Sequence, residues 1–287
     1  NVGGSHDNIT TRISIEWFQE FYIAGIEKRV KFTLIMKYLF FLISLSLLQH
    51  SWTQQLSDTS LIRNHLVQLT KSDAFRHHKN PKQLNKTAGY IRNEFLKYAD
   101  SVSYQEYEVK GTVYRNVIAS FGTNNRQRII VGAHYDVCGE QEGADDNASG
   151  CAAVLEAGRV LSNYDFPYSI VLALWDEEEP GLLGSTAQMH RIGSKGEKLA
   201  GYINLDMIAW DGNNDSVVDL HVKQINHSDA LKNKAIYCNS VYDLQVTLNV
   251  VDPGFYYSDQ FPFWENGHSA IAINENYLQD LNPHYHS

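Results

Sequence analysis

Arg128-Ile129-Ile130-Val131-Gly132-Ala133, followed directly by His134-Tyr135-Asp136, is the stretch on which the fold turns. A short apolar run without alternation is the pattern of a strand covered on both faces. Working outward, Ser169–Trp175 repeats it (SIVLALW), and Gly201–Ile208 reads as a third strand. Between them lie segments with helical patterning, Ala148–Leu161 and Leu182–Arg191. Further on, Val217–Val222, Leu244–Val250 and Ser269–Ile273 read as strands, and Ser228–Asn239 and Asp259–Asn266 as helices. Upstream, Val102–Val109 and Tyr114–Phe121 alternate with a period of two around a Lys110-Gly111 turn, which makes a hairpin. Leu56–Thr70 and Thr87–Tyr98 read as amphipathic helices separated by a loop, AFRHHKNPKQL. Strands alternating with helices define an α/β fold. The expected architecture is a single domain with a central mixed, mostly parallel sheet covered by helices on both faces.

The 287 residues carry a net charge of -9 and are 43% hydrophobic. No basic stripe is present to neutralise phosphates, which excludes a nucleic-acid partner. The three cysteines, Cys138, Cys151 and Cys238, show no C-x-x-C spacing and form no disulfide framework. His77-His78 sit together in a loop beside Lys79 and read as solvated.

The first fifty residues read differently from the rest. Met36-Lys37-Tyr38 leads into the apolar run Leu39–Leu48 and then a polar stretch, the pattern of a secretory signal peptide. The run falls short of the about twenty residues that a membrane span needs. The expected organisation is upstream, non-native sequence over residues 1–35, a signal peptide over 36–53, and a domain over 54–287. The mature protein is then secreted or periplasmic, with no stable membrane anchor after cleavage.

The chemistry-bearing residues fall at strand ends. His134 and Asp136 follow the first buried strand, Asp176-Glu177-Glu178-Glu179 the second, and Asp206 ends the third. Gly143-Ala144-Asp145-Asp146-Asn147 precedes a helix. In open α/β sheets, ligands bind beyond the carboxyl ends of the strands. Carboxylates crowded there repel one another and call for a cation. Imidazole together with carboxylate suits Zn2+, with Co2+ or Mn2+ as substitutes.

HYD at 134–136, GADDNASG at 143–150, EEPGLLGS at 178–185, NLDM at 204–207 and NPHYH at 282–286 occur in this order. The set resembles the co-catalytic, di-zinc aminopeptidases (metallopeptidase family twenty-eight), which include bacterial leucyl aminopeptidases. Glutamate carboxypeptidase and glutaminyl cyclase are relatives. The resemblance implies a zinc-exopeptidase fold and two Zn2+ per chain, held by His134, Asp145, Glu179, Asp206 and His286. Asp145 would bridge the two ions and join Asp146 through a cis peptide. His134 and Asp206 would complete one ion, Glu179 and His286 the other. Glu178 would act as general base in metal-assisted hydrolysis, Asp136 would orient the His134 ring, and Tyr285 is a candidate for steadying the tetrahedral intermediate, with Tyr256 and Tyr257 as alternatives. The implied substrates are peptides with a free N-terminus.

Two choices stay open at this level. The glutamate register among Glu177, Glu178 and Glu179 rests on counting back from Gly181, and His284 competes with His286. The chain also departs from the family pattern. Gln260 stands in Ser258-Asp259-Gln260-Phe261-Pro262-Phe263 where histidine is usual, placing substrate contacts in question. The family's closing turn and helix do not follow His286, so a C-terminally truncated domain of reduced stability is expected. Rival functions on the same fold are a glutaminyl cyclase or a carboxypeptidase for acidic dipeptides. The latter would want arginines, and after Arg128 only Arg159 and Arg191 follow. A non-catalytic ectodomain is the rival from another class.

Overall fold

An eight-stranded mixed sheet runs through the molecule in the order β1-β2-β4-β3-β5-β8-β6-β7. The computed structural model describes residues 57–122 and 127–286; the expected upstream segment and signal peptide lie outside them. The strands are β1 (Ser101–Val109), β2 (Thr112–Phe121), β3 (Gln127–His134), β4 (Ser169–Trp175), β5 (Lys198–Leu205), β6 (Val217–Val222), β7 (Thr247–Val251) and β8 (Ala270–Glu275). The helices are α1 (Thr59–Thr70), α2 (Pro81–Phe95), α3 (Gly150–Leu161), α4 (Leu183–Lys195), α5 (Ser228–Tyr242) and α6 (Gln260–Glu265). Among the described residues no helix is long and apolar enough to cross a membrane.

The hairpin expected at Lys110-Gly111 forms, with both residues at positive φ (49° and 84°) and β1 antiparallel to β2. Such a pair of left-handed residues gives a two-residue turn whose twist matches the strands. The second helix starts earlier than its periodicity indicated. Asn80 accepts the Gln83 N–H and Pro81 occupies the first helical position, so residues 81–86 belong to α2 and not to a loop. An N-cap asparagine followed by proline is itself a helix-start signal.

Strands β3–β4, β3–β5 and β5–β8 pair in parallel. Parallel neighbours end on the same edge, so the residues after β3, β4 and β5 must emerge together. Alternation along β2 divides the core. Val117, Ala119 and Phe121 pack with Leu84, Ile91, Phe95, Cys151, Val154 and Leu155, which belong to α2 and α3. Ile118 faces the other way, among Trp175, Met189, Ile192, Phe263 and Trp264, beneath α4 and α6. Helices therefore cover both faces, as the apolar runs of β3 and β4 require. Burial of a large apolar side chain in such a layer stabilises the fold by about 1.5–3 kcal/mol.

Candidate metal centre

His134 closes β3 and is 1% exposed. Its Nε2 lies 3.2 Å from Asp146 Oδ1 and 3.3 Å from Asp206 Oδ1. From the far end of the chain, His286 brings its Nε2 to 3.0 Å from Asp146 Oδ2 and 3.5 Å from Glu179 Oε2. Asp146 thus stands between the two histidines, one oxygen toward each. Two groups of donors follow, with Asp146 common to both: His134, Asp146 and Asp206 on one side, and Asp146, Glu179 and His286 on the other.

This geometry corrects the placement of the shared carboxylate. Asp145 turns away from the histidines. Its Oδ1 accepts the Ala209 N–H at 3.0 Å and its Oδ2 accepts the Asn282 side-chain amide at 2.8 Å. The cis peptide joins Asp146 to Asn147, not Asp145 to Asp146. The physical reason is the backbone: the chain leaves the helical conformation at Asp146 (φ -98°, ψ 95°), so its side chain departs in another direction from that of Asp145. Gly143 turns the chain into this segment at φ 58°, where a Cβ would stand 2.4 Å from the Asp146 carbonyl oxygen.

Buried polar groups hold the loops that carry these donors. Asp136, fully buried, accepts the Glu178 N–H on Oδ1 (3.0 Å) and the Glu179 N–H on Oδ2 (3.1 Å), and its Oδ1 lies 3.3 Å from His134 Nδ1. It orients the ring and the di-glutamate turn at once. Asn147 Oδ1 accepts from Gly150 N and Met207 N, while its amide donates to the Leu205 carbonyl. Beneath Asp206 runs a chain of hydrogen bonds. Trp175 Nε1 donates to Tyr202 OH, and Tyr202 OH to Asn204 Oδ1. The Asn204 amide donates to Ser258 Oγ, and Ser258 Oγ to Asp206 Oδ2. Gln260 belongs to this buried network: it is 0% exposed, accepts from Asn204 and donates to the Phe255 carbonyl. It lines no surface, so the departure from histidine does not alter an open pocket wall.

Other residues singled out in the sequence are not among these donors. Tyr285 stacks on the His286 ring (centroids 3.8 Å apart) and meets Tyr277 edge-on. Tyr256 packs against Phe261 and Trp264, and Tyr257 is 85% exposed. His284 is exposed, with its N–H given to Asn282 Oδ1. His78 Nδ1 stands 3.9 Å from Glu177 Oε2. Arg159 pairs with Glu156 on α3. Two residues were not read from the sequence as part of the site: Cys138, whose sulfur gathers with Glu179 and His286, and the buried Asp259, whose charge acts on Glu178.

The electrostatics of the cluster favour a cation. Burial pushes Glu178 well above the usual carboxylate range despite the His134 ring beside it. Burial, with Asp146 nearby, pushes Glu179 up to about 8, and burial pushes Asp259 up to about 7. Burial opposes charge on Asp146, but hydrogen bonds from His134 and His286 hold it far below its ordinary value. Burial works against a charged His134, yet Glu178, Asp206, Asp136 and Asp146 raise its pKa well above the imidazole value. Asp206 Oδ1 and Glu179 Oε1 are buried without a hydrogen-bond partner. Orphaned carboxylate oxygens beside two imidazoles are the donor chemistry that zinc takes, so the residues present fit such an ion.

Several known proteins resemble this chain. A probable leucine aminopeptidase of Trichophyton verrucosum is 24% identical over 266 residues, covering 83% of this chain and 71% of its own length. Three curated relatives, this one among them, are spanned over 49% to 71% of their own length. The LapA aminopeptidase of Legionella pneumophila has the same fold, with a TM-score of 0.71 at 20% identity over 85% of this chain and 71% of that one. A Porphyromonas gingivalis glutaminyl cyclase shares the fold as well, with a TM-score of 0.64 at 21% identity over 81% of this chain and 90% of that one. The model of peptidase family M28 matches residues 116–287, the segment that carries every donor described above, and the chain belongs to that family.

Proposed function

We propose that this protein is a secreted aminopeptidase that uses two zinc ions to hydrolyse the N-terminal peptide bond of its substrates. The observation that carries the reading is the Asp146 carboxylate, which presents one oxygen to His134 and the other to His286 at 3.2 and 3.0 Å. One ion would be held by His134, Asp146 and Asp206, the other by Asp146, Glu179 and His286. Zinc bound there supplies Lewis acidity to the scissile carbonyl and to the attacking water.

The chain's own residues do the rest. Glu178 is 8% exposed, and its carboxylate gathers with donors of His134 and Glu179, one from each position. Its raised proton affinity suits it to take that water's proton and pass it to the departing amine. Asp136 fixes Glu178 through the backbone rather than the carboxylate, leaving the side chain free to exchange its proton. Burial of Asp206, Glu178 and His134 excludes bulk water, so charge interactions act at low screening. Export rests on the signal-like Met36–Leu48 run, and co-substitution by Co2+ or Mn2+ on the oxygen and nitrogen donors.

The test combines metal analysis with turnover. Zinc content is measured first, then hydrolysis of leucine, alanine and glutamate para-nitroanilides, with a peptide bearing N-terminal glutamine to register cyclase activity. Two zincs, amine release and its loss in Glu178→Gln are expected. Cyclisation without hydrolysis, or activity indifferent to Glu178→Gln, overturns the reading.

A further inference from the structure

The second metal position has a fourth donor that the family resemblance does not supply. Cys138 lies four residues beyond His134, in a segment pinned by the Val137 N–H on the Arg76 carbonyl and by the His77–Val137 bridge. One donor atom each from Cys138, Glu179 and His286 falls within 4.8 Å of the others. The Glu179 oxygen Oε1 is buried there with no hydrogen-bond partner. The other thiols are engaged or distant: Cys151 donates to the His134 carbonyl, and Cys238 sits on α5.

We propose that Cys138 is a thiolate ligand of the metal held by Glu179, His286 and Asp146. The inference rests on the two-metal reading above. Donors of one tetrahedral zinc stand about 3.6 Å apart, given metal–sulfur and metal–nitrogen bonds of about 2.3 and 2.1 Å. Donors within 4.8 Å of one another therefore need to close by no more than about 1.2 Å. Coordination breaks the S–H bond; the proton leaves to solvent and the sulfur electron pair goes to the metal.

Cys138, Glu179, His286 and Asp146 together make four donors. Four protein ligands close a tetrahedral site, whereas a catalytic site keeps a place open. The His134–Asp146–Asp206 position would then be the one that keeps a place open. A soft sulfur also biases the second position toward zinc and cadmium over manganese.

The experiment uses the full chain, stripped of metal and titrated with Cd2+ alone. Bound cadmium and the ultraviolet thiolate-to-cadmium charge-transfer absorption are read together. The band is expected in the wild type and in Cys238→Ser but not in Cys138→Ser, where the second cadmium binds more weakly by a factor on the order of ten or more. Cys138→Ala guards against a fold defect particular to serine. Iodoacetamide labelling of the wild type, mapped by peptide mass, needs no variant: cadmium is expected to slow labelling of Cys138 and leave Cys238 unchanged. Two cadmium ions without a band, or a band that survives Cys138→Ser, overturn the role of Cys138 and leave the two-metal reading intact. Absence of bound cadmium overturns both.

Discussion

Asn282 donates its side-chain amide to Asp145 Oδ2 at 2.8 Å across 137 residues of chain. The contact ties the C-terminal Asn282–His286 segment to the turn that carries Asp146, and so sets where His286 arrives. Asp145 and Asp146 are neighbours with different work: one anchors the segment, the other stands between the histidines.

That division predicts separable variants. Under the two-zinc proposal, Asp146→Ala is expected to abolish tight binding at both positions. Asp145→Ala leaves His134, Asp146 and Asp206 in place and loosens only the approach of His286. It should weaken the second metal by about 10–100-fold while the first stays bound. Zinc titration with a competing chelator distinguishes them, and equal losses in the two variants would remove the anchoring role.

Asp136 carries a second positioning prediction. It holds two backbone N–H groups of the di-glutamate turn and lies beside His134 Nδ1. Asp136→Ala leaves every metal donor present but frees their supports. Activity is expected to fall by about 10–100-fold, with zinc still bound at saturating concentration. The readout is kcat at full zinc occupancy; wild-type kcat would count against the role.

How much of this was legible in the chain follows from where local rules apply. The β3 and β4 segments are covered on both faces, so RIIVGA and SIVLALW declare themselves as continuous apolar runs. Their parallel pairing then fixes that His134, Glu178, Glu179 and Asp206 share an edge. The choice between Asp145 and Asp146 was not legible, because GADDNASG spans a turn with no repeat whose phase could be counted. The start of α2 was written in Asn80-Pro81 but masked by the polar run around it. Cys138 and Asn282 show no periodicity; only the folded chain brings them to the site. Gln260 looked like a pocket residue by analogy and lies buried beneath Asp206 instead.

Gly150 tests the packing around the Asn147 clamp. A Cβ there would stand 2.5 Å from both Asn147 Oδ1 and the Leu205 carbonyl oxygen. Neither neighbour is the free end of a flexible side chain, since Asn147 holds Leu205, Gly150 and Met207 together. Gly150→Ala is expected to destabilise by about 1–3 kcal/mol despite alanine's better helix propensity. Urea unfolding measures it; a stabilised variant would mean that α3 shifts freely relative to β5.

His221 gives the fold a pH dependence remote from the metal donors. It is 3% exposed, with the Phe255 ring edge-on at 4.1 Å, and burial lowers its pKa to about 4. A folded-state value below the unfolded 6.5 means the unfolded chain takes up the proton first. The contribution is therefore complete above about pH 6.5 and is lost as pH falls toward 4, by up to about 3 kcal/mol. His221→Phe should flatten that part of the stability curve. Urea midpoints at pH 7.5 and 4.5 supply the comparison, and an unchanged slope would assign the acid sensitivity to other groups.

Glu178→Gln separates chemistry from stability. Burial, together with the charges of Asp259, Asp206 and Asp136, disfavours the ionised form of the Glu178 carboxylate against the pull of His134. A glutamine of the same shape removes that penalty, so the variant is expected to unfold at the same or a higher urea concentration than the wild type. It accepts no proton from water, so turnover should fall by about 100–10,000-fold. Zinc binding should persist, because the donors His134, Asp146, Asp206, Glu179 and His286 are untouched. A variant that is both unstable and metal-free would show that Glu178 supports the site rather than moves a proton. Equal kcat would remove Glu178 from the chemistry altogether.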